Sequence, residues 1–105
     1  MKTIWKYPIK PITVLQIPPD AKILCVQMQG SIPCIWALLD PHSSLTTRRC
    51  FRTVGTGHDV PDDPGEYIGT FQAFGGDLVF HVFEVLQPDH LKPEDWPDVM
   101  IKPLG

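Results

Sequence analysis

Residues 66–84 read EYIGTFQAFGGDLVFHVFE, in which two runs of β-branched and aromatic residues flank a Gly-Gly pair. These residue types favour the pleated, packed surface of a β-strand. Glycine reaches the positive φ angles that a two-residue turn requires. The stretch therefore predicts a β-hairpin that turns at Gly75-Gly76, with Phe74 opposite Asp77.

This register decides which side chains of the hairpin share a face. Phe71 is expected opposite Phe80 on the core face, and Thr70 opposite His81 on the other face. The core face is also expected to carry Tyr67, Ala73, Leu78 and Val82. The second face is mixed, with Ile68, Gln72 and Phe83 beside His81.

Five more strand-like runs precede the hairpin, at residues 3–7, 12–17, 21–29, 32–39 and 48–54. Prolines and glycines separate them, and no helical period appears before residue 88. Short strands between turn signals predict an all-β domain, an antiparallel sandwich or barrel of six to seven strands. The run at 12–17 is expected at a sheet edge, because prolines flank it.

The runs at 21–29 and 32–39 predict a second hairpin. Both are apolar on both faces toward their centres, which is typical of strands in the middle of a sandwich or barrel. A loop at Gln29-Gly30 would place Cys25 opposite Cys34, whereas a loop at Gly30-Ser31 would place Cys25 opposite Trp36. The sequence leaves both registers open.

The chain has the size of one domain. With 105 residues, 43% of them apolar, it can bury a single modest core. We expect residues 1–86 to form the β domain and residues 87–105 to form a proline-rich tail, with one helical turn at residues 92–95. The tail is expected either to dock through Trp96, Val99, Met100 and Ile101 or to bind another molecule.

Composition narrows the functional class. A formal net charge of −3 argues against broad nucleic-acid binding, which needs clustered Lys and Arg. Neither a secretory signal nor a run of about 20 apolar residues is visible, so we expect a soluble intracellular protein without a membrane span. Three cysteines, an odd number, predict free thiols. The aromatic content and exposed strand edges favour a homodimer or a higher homo-oligomer.

One stretch has the residue types of an anion site. Two glycines in Gly55-Thr56-Gly57-His58 let backbone N–H groups turn toward an anion, and arginine offers a permanently charged fork for phosphate or carboxylate. The predicted ligand-binding residues are Arg48, Arg49, Arg52, Gly55, Thr56, Gly57 and His58. The alternative is an ordinary glycine-rich connection with solvated arginines, since no phosphate-binding fingerprint is present.

Catalysis and metal binding have less support. The acidic and histidine residues lack a recognised metal-ligand spacing, and the cysteines lack the paired spacing of zinc sites. We predict no catalytic residue, no metal and no cofactor. A hydrolase that uses His58 with an acidic neighbour ranks third, below two binding functions. The loop that carries these residues is too polar to perturb their pKa values, as catalysis would require. His81 is expected to be a hydrogen-bonded sheet histidine.

Four segments resemble a family of small uncharacterised proteins encoded by bacteriophages and prophages. They are IWKYP (4–8), AKILCVQMQ with PCIWALLDP (21–41), FRTVGTGH (51–58) and YIGTFQAFGGDLVFHVFE (67–84). The resemblance covers residues 1–86 and implies an accessory protein in the cytoplasm of an infected bacterium. It implies either a non-catalytic protein that sequesters an anionic, nucleotide-type signal of a defence system, or an inhibitor that binds a host defence protein.

Overall fold

The computed structural model describes residues 1–85, 99–100 and 102–104. Within these residues the chain is all-β, as predicted. Its strands are β1 (Thr3–Pro8), β2 (Ile12–Ile17), β3 (Lys22–Gln29), β4 (Ile32–Leu39), β5 (Thr47–Gly55), β6 (Glu66–Ala73), β7 (Leu78–Val85) and β8 (Val99–Met100). A short 3₁₀ turn, Phe74–Gly76, joins β6 to β7.

The strands form two sheets, so the sandwich is the observed arrangement. One sheet has the order β1-β4-β3 and the other has the order β6-β7-β5-β2-β8. The first seven strands pair antiparallel, and β8 pairs parallel to β2. The edges of β3 and β6 lie side by side, and a Cβ at Gly69 would approach Val26 Cγ1 to 2.7 Å.

Two expectations about strand position were wrong. Strand β2 is not at an edge, because β5 pairs along one side and β8 pairs with Val14 and Leu15 on the other. The prolines next to β2 end the strand without removing its pairing partners. In the second hairpin only β4 is central, and β3 is the edge strand of its sheet.

The β6–β7 hairpin has the predicted register. Phe71 pairs with Phe80 and Thr70 with His81, and the pairing extends to Ala73 opposite Leu78. Gly75 and Gly76 both have positive φ, 68° and 96°. The Asp77 N–H donates to the Phe74 carbonyl at 3.2 Å, which closes the two-residue loop.

A bulge changes one face of this hairpin. The register shifts between Tyr67 and Gly69, so that Tyr67 pairs with Phe83, whereas the register nearer the turn would have paired it with Glu84. Tyr67 was expected on the core face, but its ring meets Phe83 edge to face at 5.7 Å and its hydroxyl contacts Thr70. It therefore lies on the outer face, 56% exposed.

The β3–β4 hairpin turns at Gly30-Ser31, one of the two registers that the sequence allows. Gln29 pairs with Ile32, and Cys25 lies opposite Trp36. Gly30 has a φ of 62°, which suits the first central position of a type II′ turn. The three cysteines are free thiols, as expected from their number.

The inner faces of both sheets supply the main core. Phe51 and Leu15 from one sheet pack with Tyr7 and Ile35 from the other, all of them at most 1% exposed. A smaller cluster lies on the outer face of the larger sheet, where Val14, Cys50 and Val85 form a row across β2, β5 and β7.

Part of the predicted tail contacts both sheets. Val99–Met100 adds β8 to β2, and Met100 packs against the main core. The Leu104 N–H donates to the Lys6 carbonyl of β1 at 2.8 Å. The helical turn expected at 92–95 and the docking expected of Trp96 and Ile101 lie outside the described residues.

Candidate functional site

A cleft of about 740 Å³ lies at the end of the sandwich where the two hairpin turns come together. The β6–β7 tip supplies one wall, and the β3–β4 tip supplies another. The segment between β1 and β2 and the end of β5 complete it. Its lining residues are Ile9, Lys10, Pro11, Met28, Gly30, Ser31, Pro33, Thr53, Gly55, His58, Phe71, Gln72, Ala73, Phe74, Gly75 and Phe80. Volumes of this size are typical of small-molecule sites.

Aromatic and aliphatic side chains form most of the wall. Phe71 and Phe80 stack with ring centroids 5.3 Å apart and an interplanar angle of 26°. Met28 and Pro33 face the cleft from the other hairpin. Lys10 brings a cation to this wall, and His58 brings an imidazole. The cleft therefore offers a flat apolar surface together with groups that attract an anion.

The segment that carries Lys10 is fixed to the sheet beside it. The Lys10 N–H donates to Thr13 Oγ1 at 2.8 Å, and its carbonyl accepts from Thr53 Oγ1 at 3.2 Å. The Thr53 N–H donates to the Pro11 carbonyl at 2.9 Å, and the Ile9 N–H donates to the Pro33 carbonyl at 3.0 Å. These bonds hold the Lys10 backbone at the cleft.

The predicted glycine-rich segment is a tight turn at the cleft. The His58 N–H donates to the Gly55 carbonyl at 3.1 Å, and Gly57 has a φ of 87°, as a type II turn requires at that position. The His58 ring folds back over Gly55, because a Cβ there would be 3.1 Å from the ring. Gly55 and His58 thus line the cleft, with Thr56 and Gly57 between them in the turn.

A chain of hydrogen bonds ties this turn to the β6–β7 hairpin. Thr56 Oγ1 donates to the Val79 carbonyl at 3.2 Å and lies 2.7 Å from Nε2 of His81. Nε2 therefore donates to Thr56, and Nδ1 on the other side of the ring lies 3.0 Å from Thr70 Oγ1. His81 is a hydrogen-bonded sheet histidine, as predicted, and it fixes two walls of the cleft relative to each other.

Arg49 points inward and is already bonded. Its Nε and Nη2 contact the two carboxylate oxygens of Glu84, each at 2.7 Å, and its Nη1 donates to the Ala21 carbonyl at 2.6 Å. Glu84 is buried, with 7% exposure. The Arg49 guanidinium therefore stabilises the fold through these bonds, and Arg49 does not line the cleft.

Arg48 and Arg52 project from the other face of β5, because successive side chains alternate. Arg52 sits between Ile12 and Phe83 on neighbouring strands, and its Nη1 is buried without a partner among the described residues. Arg48 is exposed, and at the usual rise it lies about 23 Å along the strand from Gly55. The seven predicted ligand-binding residues do not assemble in one place.

Most of the residues that line the cleft, above all Lys10 and Phe74, are not among those predicted from the sequence. Lys10 is one of several lysines near the N-terminus, and no local motif marks it. Phe74 could have been recognised from its position, because an aromatic residue beside Gly75-Gly76 is too close to the turn to be buried. It is 75% exposed.

The thiols lie apart from this chemistry. Burial raises the pKa of the Cys34 thiol, against the lowering effect of Lys6. Burial likewise raises the pKa of Cys50, which Arg52 lowers and Glu84 raises further. Thiols with raised pKa values are poor nucleophiles at neutral pH. Within the described ranges, no group of three or more His, Cys, Asp or Glu residues is arranged to hold a metal ion.

Comparison with known proteins assigns the chain to one family. The family model described as a domain of unknown function, DUF7352, matches residues 1–92. No curated protein and no solved structure matches the chain. In the part of the chain that the structure describes, no helix has the length and apolarity to span a membrane.

Proposed function

We propose that this chain, which belongs to the DUF7352 family, is a non-catalytic binding protein that sequesters a small anionic ligand of nucleotide type. The observation that carries the proposal is the cleft between the hairpin tips, where the stacked Phe71–Phe80 wall and Lys10 occur together. A nucleotide combines a flat ring with an anionic phosphate. Aromatic side chains suit the ring, and a lysine ammonium suits the phosphate as a point charge.

The resemblance to bacteriophage and prophage proteins supplies the biological setting of this proposal. In an infected bacterium, a small binding protein without catalytic groups would act by removing a nucleotide signal on which a defence system depends. The family match carries no activity, so this setting rests on the resemblance alone.

The proposal is tested by calorimetric titration of the purified protein with AMP, GMP and cyclic dinucleotides. Lys10→Gln should weaken nucleotide binding about tenfold, because a charge-assisted hydrogen bond contributes about 1.5–3 kcal/mol when fully formed and Lys10 is exposed. Arg52→Gln is the matched control. It removes one positive charge from the outer face and should leave the affinity unchanged.

The two variants separate the cleft from the arginine-centred site that the sequence suggested. If Arg52→Gln weakens binding and Lys10→Gln does not, the anion binds on the outer face of β5. Absence of binding by every nucleotide to the wild type would overturn the proposal.

A second candidate function is inhibition of a host defence protein through the exposed hairpin tips. The observation in its favour is the group of large apolar side chains there, with Phe74 75%, Leu78 46% and Ile32 42% exposed. Exposed apolar side chains in one region mark protein contacts. Leu78→Glu should abolish such inhibition and leave nucleotide binding intact, since Leu78 is not among the lining residues of the cleft.

A further inference from the structure

Phe74 adopts a backbone conformation that disfavours its side chain. Its φ is 54°, and among the described residues no other non-glycine residue has a positive φ. In the left-handed region the Cβ of an L-residue approaches its own carbonyl oxygen, so that glycine, Asn or Asp is the usual occupant. The two residues that follow, Gly75 and Gly76, take positive φ without this cost.

Burial of the side chain does not offset that cost. Phe74 is 75% exposed, whereas Phe71 on the preceding strand β6 is 7% exposed. Strained residues cluster at binding sites, where the strained conformation itself serves the function. The turn alone requires no aromatic ring at this position, since the hydrogen bond that closes it uses the Phe74 carbonyl.

The position of the ring indicates its use. Phe74 lines the cleft and is mostly exposed, so it stands at the mouth, while the stacked Phe71 and Phe80 rings form the wall further inside. A planar ring bound in the cleft would meet the inner pair and Phe74. Aromatic rings pair best in offset or edge-to-face arrangements, which an aliphatic ligand cannot reproduce.

We infer that Phe74 is a specificity-determining residue of the cleft, and that it selects ligands with a planar aromatic ring, such as a nucleobase, over anions that lack one. This inference rests on the proposed function and deepens it. Lys10 attracts the anionic group, and Phe74 contacts the ring.

The test uses three defined probes with the intact protein. AMP carries both the base and the phosphate, adenosine lacks the phosphate, and ribose 5-phosphate lacks the base. Phe74→Asn should raise the Kd for AMP and for adenosine at least fivefold and leave that for ribose 5-phosphate unchanged, because stacking on one aromatic ring contributes about that factor or more. Phe74→Tyr should retain the wild-type Kd.

Thermal unfolding supplies an independent readout. Asn tolerates the left-handed region, so Phe74→Asn should have a Tm equal to or a few degrees above that of the wild type. Loss of binding together with a retained Tm separates a ligand contact from a structural role. Leu78→Ala is the control on the same hairpin, because Leu78 is exposed but does not line the cleft. It should leave the Kd values for all three probes unchanged.

The failure of this inference is distinguishable from the failure of the proposed function. If AMP binds the wild type and Phe74→Asn equally well, the cleft binds nucleotides and the role of Phe74 is overturned. The role of Phe74 is also overturned if ribose 5-phosphate binds the wild type as tightly as AMP does. If neither these three probes nor GMP nor any cyclic dinucleotide binds the wild type, both statements fall together.

Discussion

The Arg49 guanidinium and the Glu84 carboxylate form two parallel hydrogen bonds, Nε to Oε2 and Nη2 to Oε1, each 2.7 Å long. The side chains are 16% and 9% exposed, respectively. The pair joins β5 to β7, and its third bond, to the Ala21 carbonyl, reaches the segment between β2 and β3. Breaking one partner of such a pair leaves the other as an uncompensated charge.

We therefore predict that Glu84→Gln lowers the free energy of unfolding by about 3 kcal/mol, as measured by urea denaturation. The double variant Arg49→Met/Glu84→Leu should recover much of this loss, because neither charge is then left unpaired. If the single variant is as stable as the wild type, the ion pair contributes nothing to the fold.

Gly65 and Gly57 both have positive φ but differ in their surroundings. A Cβ at Gly65 would overlap the backbone carbonyl of Glu84, whereas a Cβ at Gly57 would meet no atom within 4 Å. Gly57→Ala should cost about 1–2 kcal/mol from its backbone alone. Gly65→Ala should cost that amount and about 1–3 kcal/mol more from the overlap. Equal losses in the two variants, measured by denaturant titration, would show that the chain before β6 moves freely away from β7.

The buried thiols and Tyr7 predict how stability responds to alkaline pH. Burial raises the pKa of Cys34 and Cys50 above 9.0 and that of Tyr7 above 10.0. Above about pH 9 the unfolded chain releases these protons while the folded state still holds them. The free energy of unfolding is therefore retained below about pH 9 and falls as the pH rises further. Thermal melts between pH 7 and about 10.5 measure the slope. Cys50→Ala should make the slope shallower, and an unchanged slope would remove Cys50 from this account.

The C-terminal strand should contribute to stability through the core. Met100 packs against the main cluster, so Met100→Ala should cost about 2 kcal/mol and lower the Tm by several degrees. Lys102→Ala is the control, because Lys102 is exposed. Deletion of residues 99–105 should destabilise the protein more than Met100→Ala does, since it also removes the β2–β8 pairing. If the deletion variant has the same Tm as the wild type, the pairing of β8 with β2 does not contribute to stability.

Self-association remains a prediction from the sequence, and the exposed apolar side chains of the described strands are consistent with it. Ile4 on β1 is 55% exposed and Leu24 on β3 is 41% exposed. A homodimer would cover such side chains. Light scattering across a range of micromolar concentrations should give twice the monomer mass, and a monomer mass throughout would contradict the prediction.

The register of the organising hairpin could be predicted, because a Gly-Gly turn and strict alternation leave few solutions. The bulge beside Tyr67 could not, since it lies where β6 meets β3, a strand remote in sequence. Gly69 lies against Val26 of β3, and the shifted register begins at that contact. The contact between the two sheets that accompanies the bulge is invisible in residues 66–84 alone.

The predicted anion site differs, because its local turn could be predicted from the sequence but the positions of its charged side chains could not. The turn at Gly55–His58, with its positive φ at Gly57, follows from local sequence. The arginines counted with it belong to one strand, whose alternation already separates Arg49 from Arg48 and Arg52. The partner of Arg49, Glu84, lies far along the chain, so that the use of its guanidinium depends on the pairing of β5 with β7. Lys10 lies at the cleft because its segment bonds to Thr53 of β5, a contact between residues distant in sequence.

The parallel pairing of β8 with β2 has a consequence for biosynthesis. Val99 is synthesised well after its partner Val14 and after β5, β6 and β7, so this edge of β2 lacks β8 while the other strands of the sheet are being made. An open strand edge can pair with another nascent chain, and contacts between such distant residues form slowly. Pairing of β8 with β2 therefore follows the synthesis of the other strands of this sheet, and aggregation competes with it most when many copies of the chain are translated at once.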